Sequence, residues 1–552
     1  MDVDPESFEL EDLWGGEVLG GVDPLAVADG LRAVLSHPGR IARESANMLG
    51  DLVRIAAGRS KLTPHPKDAR FHHAAWTENP AYRRLAQSYL AWGQAMERLV
   101  DGQDDDWRAQ QRARFAVNLL VSAAAPTNQL VTNPAALTRA LETGGISLVR
   151  GARNFVKDLA TNRGLPRAVD SRPFRVGETV AVSPGAVVHR DEAFELLQYQ
   201  PTTTEVRARP VVLIPPQINK FWFMDMAPGR SLVEYAVGRG IQMFVLSWRN
   251  PEPDQGSWGL DTYAAAVGRA VEVATAVTGA DAVETLGLCA GGITTAGWLG
   301  HVAALGEHPV AAASFAVTLL DFSEPTNVGM FGTTVITANA RKSSSRAGVL
   351  EGHSLATLFA ALRPDDMIWR YWVNNYLLGN DPPAFDLLAW NADTTRLPAA
   401  LHADFLDVLV RDSLATPREL KVLGSPVDLG EVDMDVFCVG AESDHLTPWR
   451  ACFASLRHFG GDKEFVLSSS GHIQALVNPP GNPRMWFRTG PTPGRDADAW
   501  LGESRQHAGS WWERWADWSV ERLGDTRKAP TRLGSRAHPV LGPAPGTYVH
   551  AK

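Results

Sequence analysis

The sequence predicts an α/β protein: a mostly parallel sheet covered by helices on both faces, interrupted by a large insertion and preceded by a mainly helical N-terminal domain. Three observations predict it. From about residue 194 to 319, short β-branched runs bounded by Pro, Gly or Asn alternate with stretches of helical period, the pattern of parallel strands joined by crossover helices. Strand character returns at Val436–Val439 and Glu464–Leu467 after a break. Before about residue 170, apolar residues recur at helical spacing.

Taken in order, residues 1–31 hold nine acids (Asp2, Asp4, Glu6, Glu9, Glu11, Asp12, Glu17, Asp23, Asp29) and no Lys or Arg, and read as a solvated, poorly ordered leader. Residues 32–175 form the helical domain. Within 24–57, Leu31, Val34, Leu35, Met48, Leu49, Leu52 and Val53 make an apolar stripe that Pro38-Gly39 can break. A second helix is expected over 80–101, with Tyr82, Leu85, Tyr89, Trp92, Met96 and Leu99 on one face. Asp104, Asp105 and Asp106 stand where a third, about 106–123, would begin, which suits the helix dipole.

The catalytic domain is expected over 176–552. Strands are predicted at 177–182, 194–199, 210–214, 243–246, 282–288 and 310–319, with helices over 261–279 and 291–305. Residues 322–430 break the rhythm, are rich in Trp and Tyr, and read as a cap insertion. A helix over 449–459 then separates the two returning strands. Trp511, Trp515 and Trp518 share one helical face, which predicts packing on the sheet, with an exposed contact surface as the alternative. The Pro-rich end after Asp525 reads as an extended segment lying on the core.

The 552 residues are 45% apolar and 21% charged, the balance of a folded chain with a full-size core. No run approaches the ~18 apolar residues of a membrane span. The acidic start lacks a basic and an apolar segment, so no secretory signal is expected. Lys and Arg number 53 against 62 Asp and Glu, a net charge of −9. The leader alone accounts for that surplus, and a neutral remainder gives no electrostatic reason to bind nucleic acid. Three cysteines, Cys289, Cys438 and Cys452, argue against a disulfide framework and for a reducing cytoplasm.

The sharpest local signal is Gly287-Leu288-Cys289-Ala290-Gly291-Gly292, which follows an apolar strand and opens a helix. That is the setting of the nucleophile elbow of α/β-hydrolase-type proteins, with Cys in place of Ser. The glycines allow the sharp turn, and the following helix aims its N-terminal N–H groups and positive dipole end at the sulfur, which favours thiolate. The fold predicts the acid and then the histidine on loops after later strands. Asp444 follows Val436–Val439, and His472 follows Phe465-Val466-Leu467. Asp444 would orient the imidazole, and His472 would move the protons. Glu442 is a rival acid and His445 a rival base. A metal site from Asp444, His445 and His472 has no supporting ligand spacing. The oxyanion hole should combine the Ala290 N–H with one from the loop Pro215-Pro216-Gln217-Ile218-Asn219. The prolines have no N–H, which leaves Gln217 or Ile218.

These residues resemble the polyhydroxyalkanoate synthases. Beyond Gly287–Gly292, the likeness runs through Pro126-Thr127-Asn128, Asn219-Lys220-Phe221, Ser247-Trp248-Arg249-Asn250-Pro251, Arg363-Pro364-Asp365-Asp366, Asn374-Asn375-Tyr376, Asp444-His445, Ser470-Gly471-His472-Ile473, Gly509-Ser510-Trp511-Trp512 and the tail Pro543–Tyr548. It covers about residues 68–552. Residues 371–406 and Asn478–Pro483 look most like the single-subunit, class II branch associated with medium-length side chains. The resemblance implies polymerisation of (R)-3-hydroxyacyl-CoA into polyester with release of CoA, with Cys289 on the family's nucleophile, Asp444 on its aspartate and His472 on its histidine. It also implies a homodimer in the cytoplasm at the surface of polyester granules, with no cofactor, since coenzyme A belongs to the substrate and is a product.

The chemistry suits cysteine. Attack of a thiolate on a CoA thioester gives another thioester, so acyl activation is kept until a 3-hydroxyl, deprotonated by His472, forms the more stable oxoester. Water competes with that hydroxyl, so the site should be dry and covered, with 322–430 as the natural cap. Trp369, Tyr371, Trp372, Tyr376 and Trp390 in that segment are expected chiefly to pack a core, with a polymer path as the alternative. Two other readings compete: a cysteine hydrolase of the same fold (thioesterase or polyester depolymerase), and a catalytically silent granule-binding protein.

Overall fold

The computed structural model describes residues 24–101, 106–494 and 496–552. The chain divides into two compact units, Met1–Asp170 with His353–Phe385, and Ser171–Gly352 with Asp386–Lys552. The segment 322–430, expected as one cap, is thus shared between them.

The first unit is helical. Asn79 caps the helix Pro80–Val100 by accepting from the Ala81 N–H at 2.9 Å, and Asn133 caps Pro134–Glu142 by accepting from Ala136 at 3.1 Å. In both, proline occupies the first turn, where its missing N–H costs nothing. Asp106 caps Trp107–Ala123; Asp104 and Asp105 lie outside the described residues. The stripe over 24–57 forms two helices, Pro24–Leu35 and Pro38–Ala56, broken just before Pro38. Residues 1–23 of the acidic leader lie outside the described residues. Residues 24–31, assigned to that leader on charge, instead open the first helix: Ala26 is buried, Asp29 pairs with Arg112 at 2.9 Å, and Val34 packs with Leu99, Val100 and Val117. The aromatic residues at 371–376 pack this unit, with the Trp372 indole donating to the Asn128 carbonyl at 3.1 Å and the Tyr376 hydroxyl to Asp158 at 2.9 Å.

The second unit is built on an 11-stranded sheet. Its strands are β1 Gly185–Arg190, β2 Phe194–Tyr199, β3 Val211–Ile214, β4 Met243–Trp248, β5 Val283–Leu288, β6 Val310–Ala316, β7 Asp435–Ala441, β8 Lys463–Ser468, β9 Trp486–Thr489, β10 Arg505–Ala508 and β11 Gly542–Pro543. Across the sheet the order is β10-β9-β8-β7-β6-β5-β3-β4-β2-β1-β11. The run β4-β3-β5-β6-β7-β8 is parallel, and the outer pairs are antiparallel. Strands β2 to β5 are buried along their whole length, which is why β3 reads as a continuous apolar run rather than an alternating one.

The predicted strand at 177–182 is absent. Gly177 and Ala181 both have positive φ, and the Thr179 hydroxyl donates to the Pro173 carbonyl at 2.8 Å while accepting from the Arg175 N–H at 2.7 Å. A side chain that satisfies local backbone in this way competes with a ladder; only an isolated bridge joins Val176 and Val180, and the first strand begins at Gly185. The strand predicted over 310–319 ends at Ala316, where Val317 turns to φ +47°. The helix Trp511–Arg522 packs Trp511, Trp515 and Trp518 into the interior, all 2% exposed or less, so the packing expectation holds for this face. Beneath it lies the buried carboxyl of Glu284 on β5, which accepts from Ser314 at 2.7 Å, Ser519 at 3.0 Å and the Trp515 indole at 3.1 Å. Among the described residues, no helix is long and apolar enough to cross a membrane.

Candidate active site

The site assembles at the carboxyl ends of β5, β7 and β8, where an open parallel sheet leaves loops free to carry chemistry. Cys289 follows β5 directly and precedes the helix Ala290–Ala304. Its backbone has φ +49° and ψ −121°, a conformation that costs a non-glycine residue of order 1–3 kcal/mol. Neighbouring glycines make room for it. A Cβ on Gly287 would lie 2.7 Å from the Gly292 Cα, and one on Gly291 would lie 2.5 Å from the Pro215 carbonyl oxygen. The Cys289 N–H donates to the Ala316 carbonyl at 3.0 Å, and the Thr318 hydroxyl donates to the Cys289 carbonyl at 3.3 Å. The strained turn is therefore held from the adjacent strand end. Cys289 is half-buried, whereas Cys438 and Cys452 are buried, and desolvation raises both buried thiols above their usual range.

The acid and histidine loops are joined backbone to backbone. The Glu442 N–H donates to the Ser468 carbonyl at 2.9 Å, and the Ser443 N–H donates to the Ser470 carbonyl at 3.0 Å. Ser470 itself has φ +80°, a turn that delivers Gly471 and His472. The result brings His472 Nδ1 within 2.6 Å of Asp444 Oδ2. Asp444 Oδ1 accepts from the N–H groups of Leu446 at 2.8 Å and Thr447 at 3.0 Å. Its Oδ2 accepts in addition from the Thr447 hydroxyl at 2.7 Å.

These partners set the charges. Burial works against a charged Asp444, but the His472 charge, its hydrogen bond and the Thr447 donors outweigh it and hold the carboxyl below its usual range. Burial likewise works against charge on His472. The Asp444 charge first, then the electrostatic interaction with Cys289 and the imidazole's hydrogen bonds to both, overcome it, and the imidazole is pushed up to about 10. Such a buried, opposed set of perturbed groups on adjoining loops is a functional-site signature.

The structure brings Asp444 and His472 together and sets Cys289 among the groups that charge His472. Glu442 is exposed. His445 is half-buried one residue beyond Asp444, and its carbonyl accepts from Asn327 at 2.9 Å. Asp444 does not cap the next helix: its oxygens are spent on Leu446, Thr447 and His472, while that helix starts at Trp449. Ala290 is the first residue of the helix after the elbow. The Gln217 carbonyl accepts from the Thr395 hydroxyl at 2.8 Å, its side-chain amide donates to Thr294 at 3.0 Å, and the Ile218 carbonyl accepts from the Thr395 N–H at 3.4 Å. The loop is thus fixed against the elbow helix on one side and Thr395 on the other. Among the described residues, no group of three or more His, Cys, Asp or Glu side chains could hold a metal ion.

Thr447 and Thr318 are the contributors that sequence reasoning missed. Thr447 left one faint trace, a hydroxyl three residues after an aspartate on a loop, which is the spacing of a local side-chain turn.

Comparison with known proteins bears on the same residues. Positions 67–236 match the family described as the N-terminus of poly-beta-hydroxybutyrate polymerase (PhaC), and positions 210–479 match the alpha/beta hydrolase fold. The chain is 45% identical over 522 residues to poly(3-hydroxyalkanoate) polymerase 1 of Ectopseudomonas oleovorans, covering 95% of this chain and 93% of that one. It is 44% identical over 521 residues to polymerase 2 of the same organism, covering 94% and 92%. Identity to the poly(3-hydroxyalkanoate) polymerase subunit PhaC of Cupriavidus necator is 39% over 509 residues, covering 90% and 85%.

Proposed function

The chain belongs to the poly(3-hydroxyalkanoate) polymerase family, and on that premise we propose how it joins its monomers: through a thioester on Cys289, with His472 as the proton carrier and Asp444 as its orienter. It is a polyhydroxyalkanoate synthase, an acyltransferase that builds polyester from hydroxyacyl-CoA. The proposed substrate is the (R)-3-hydroxyacyl thioester.

In the first half-reaction, the Cys289 thiolate attacks the acyl carbonyl, the C–S bond to CoA breaks, and His472 gives its proton to the departing CoA sulfur, leaving the imidazole neutral. The Ala290 N–H, with that of Gln217 or Ile218, would hold the oxyanion. One thioester replaces another, so the step is close to balanced. The second half-reaction needs a base. The electrostatic interaction with Cys289 is one of the causes that favour a protonated His472. An acylated sulfur no longer supplies it, so the imidazole stays neutral more readily while the acyl group is in place. His472 can then take the proton of an incoming 3-hydroxyl, whose oxygen attacks the thioester to form the oxoester and free the sulfur.

The observation that carries this reading is the Cys289 elbow together with the 2.6 Å Asp444–His472 contact. No cofactor beyond substrate coenzyme A enters the proposal. Likeness to the family supports a homodimer at the polyester granule surface, and a solution mass of one chain during turnover counts against the dimer. The deciding experiment incubates purified protein with (R)-3-hydroxyacyl-CoA. CoA release matched by insoluble polyester supports the synthase route, whereas stoichiometric free hydroxy acid supports a hydrolase.

A further inference from the structure

Thr447 touches both members of the dyad without being one of its titrating groups. Its side chain is buried, at 6% exposure. Its hydroxyl oxygen lies 2.7 Å from Asp444 Oδ2 and 3.2 Å from His472 Nδ1. A hydroxyl has one hydrogen to give and lone pairs to receive with. Asp444 Oδ2 accepts only, because the carboxyl is held ionised, so the hydrogen goes there. The contact to Nδ1 is then favourable only when Nδ1 carries its proton and donates.

We propose that Thr447 is a positioning residue: its hydroxyl oxygen is a second acceptor for the His472 Nδ1–H that Asp444 Oδ2 holds, keeping Nε2 toward the sulfur, and its hydrogen completes the shell of the Asp444 carboxylate. That shell is fully used. Oδ1 takes two backbone N–H groups, and Oδ2 takes the Thr447 hydroxyl and the imidazole N–H. Without the hydroxyl, a buried carboxylate loses one of four donors and the Nδ1–H loses its second acceptor, leaving Asp444 Oδ2 alone to hold the ring. The backbone of Thr447 would keep its own contacts, since its N–H holds Oδ1 and its carbonyl accepts from the Cys452 thiol at 3.5 Å. The side chain can therefore be tested apart from the loop. The inference rests on the reading of Cys289, Asp444 and His472 given above.

The test compares Thr447→Val, which keeps the shape and removes the hydroxyl, with Thr447→Ser, which keeps the hydroxyl, in the full chain. The readouts are kcat and KM for CoA release across pH, with near-UV circular dichroism as the check of folding. Thr447→Val is expected to lower kcat by about 10- to 100-fold, the worth of a hydrogen bond to a charged group, with KM little changed. Its acid limb should move to higher pH, because the carboxylate has lost a donor that favours its charged form. Thr447→Ser is expected to stay close to the parent in both. A Val variant with parental kcat and pH profile overturns the proposal, as does a Ser variant as slow as Val. If Thr447→Val does not fold, Thr447→Cys, a weaker donor of similar size, takes its place, and Cys matching Ser overturns the proposal. Cys289→Ala, run in parallel, separates the two levels: full CoA release there sinks the thioester route itself, whereas its inactivity beside an unaffected Thr447→Val sinks only the role of Thr447.

Discussion

His472 and Asp444 face each other at 2.6 Å, from loops whose backbones are hydrogen-bonded together at Glu442–Ser468 and Ser443–Ser470. The dyad is therefore rigid before substrate arrives, and the carboxylate is the first of the favourable causes that keep His472 protonated. Asp444→Asn removes that charge while keeping the shape. Steady-state CoA release should drop by about a thousandfold or more, in line with loss of the orienting carboxylate in comparable triads. A fall of less than tenfold would show that His472 needs no such partner.

Gly291 lies under the end of β3, where a Cβ would meet the Pro215 carbonyl oxygen at 2.5 Å. The oxygen is backbone and a Cβ is fixed to its own Cα, so neither can swing aside. Gly291→Ala should lower stability by about 1–3 kcal/mol and cut activity disproportionately, because the displaced groups are the elbow helix and the loop bearing Gln217 and Ile218. Urea unfolding beside a kcat measurement checks this. An alanine variant with parental activity would contradict the packing described for the elbow.

Glu284 is fully buried with Trp515, Ser314 and Ser519 around one oxygen, and desolvation raises its carboxyl to about 7 from an ordinary 4.5. The folded state then binds more protons than the unfolded one between those two values. Stability contributed by this group is present at and below about pH 4.5 and falls as pH rises through about 7. The full effect is on the order of 3 kcal/mol. Measured as the difference in stability between the parent and Glu284→Gln at several pH values, the parent should lose ground over that interval and then level off. Parallel pH profiles would place the proton elsewhere.

Much of this was legible in the sequence because the informative residues obey local rules. The buried parallel strands announce themselves through runs such as Val211–Ile214, and the elbow through Gly287, Gly291 and Gly292 around Cys289. Strand succession put an acid and then a histidine on loops after Cys289, but left Glu442 and His445 as rivals to Asp444 and His472 until the family resemblance chose between them. What escaped depends on tertiary pairing. Strand β10, Arg505–Ala508, is exposed at every position and has no apolar alternation to reveal it. Thr179 turned an apparent strand into a local turn through its hydroxyl. The stripe over 24–57 announced a helix near Pro24, while charge also put residues 24–31 in the leader, and only the partners of Val34 and Asp29, some 65 to 85 residues away in the chain, decide between the two. Thr447 and Thr318 matter through single hydrogen bonds across the site, which no periodicity encodes.

The thioester on Cys289 is tested most directly by intact-mass and peptide mass spectrometry after brief exposure to (R)-3-hydroxyacyl-CoA. The expected result is a mass increase of one or more hydroxyacyl units confined to the peptide carrying Cys289, and lost in Cys289→Ala. Acylation of another residue, or turnover of substrate by Cys289→Ala at the parental rate, would contradict the account.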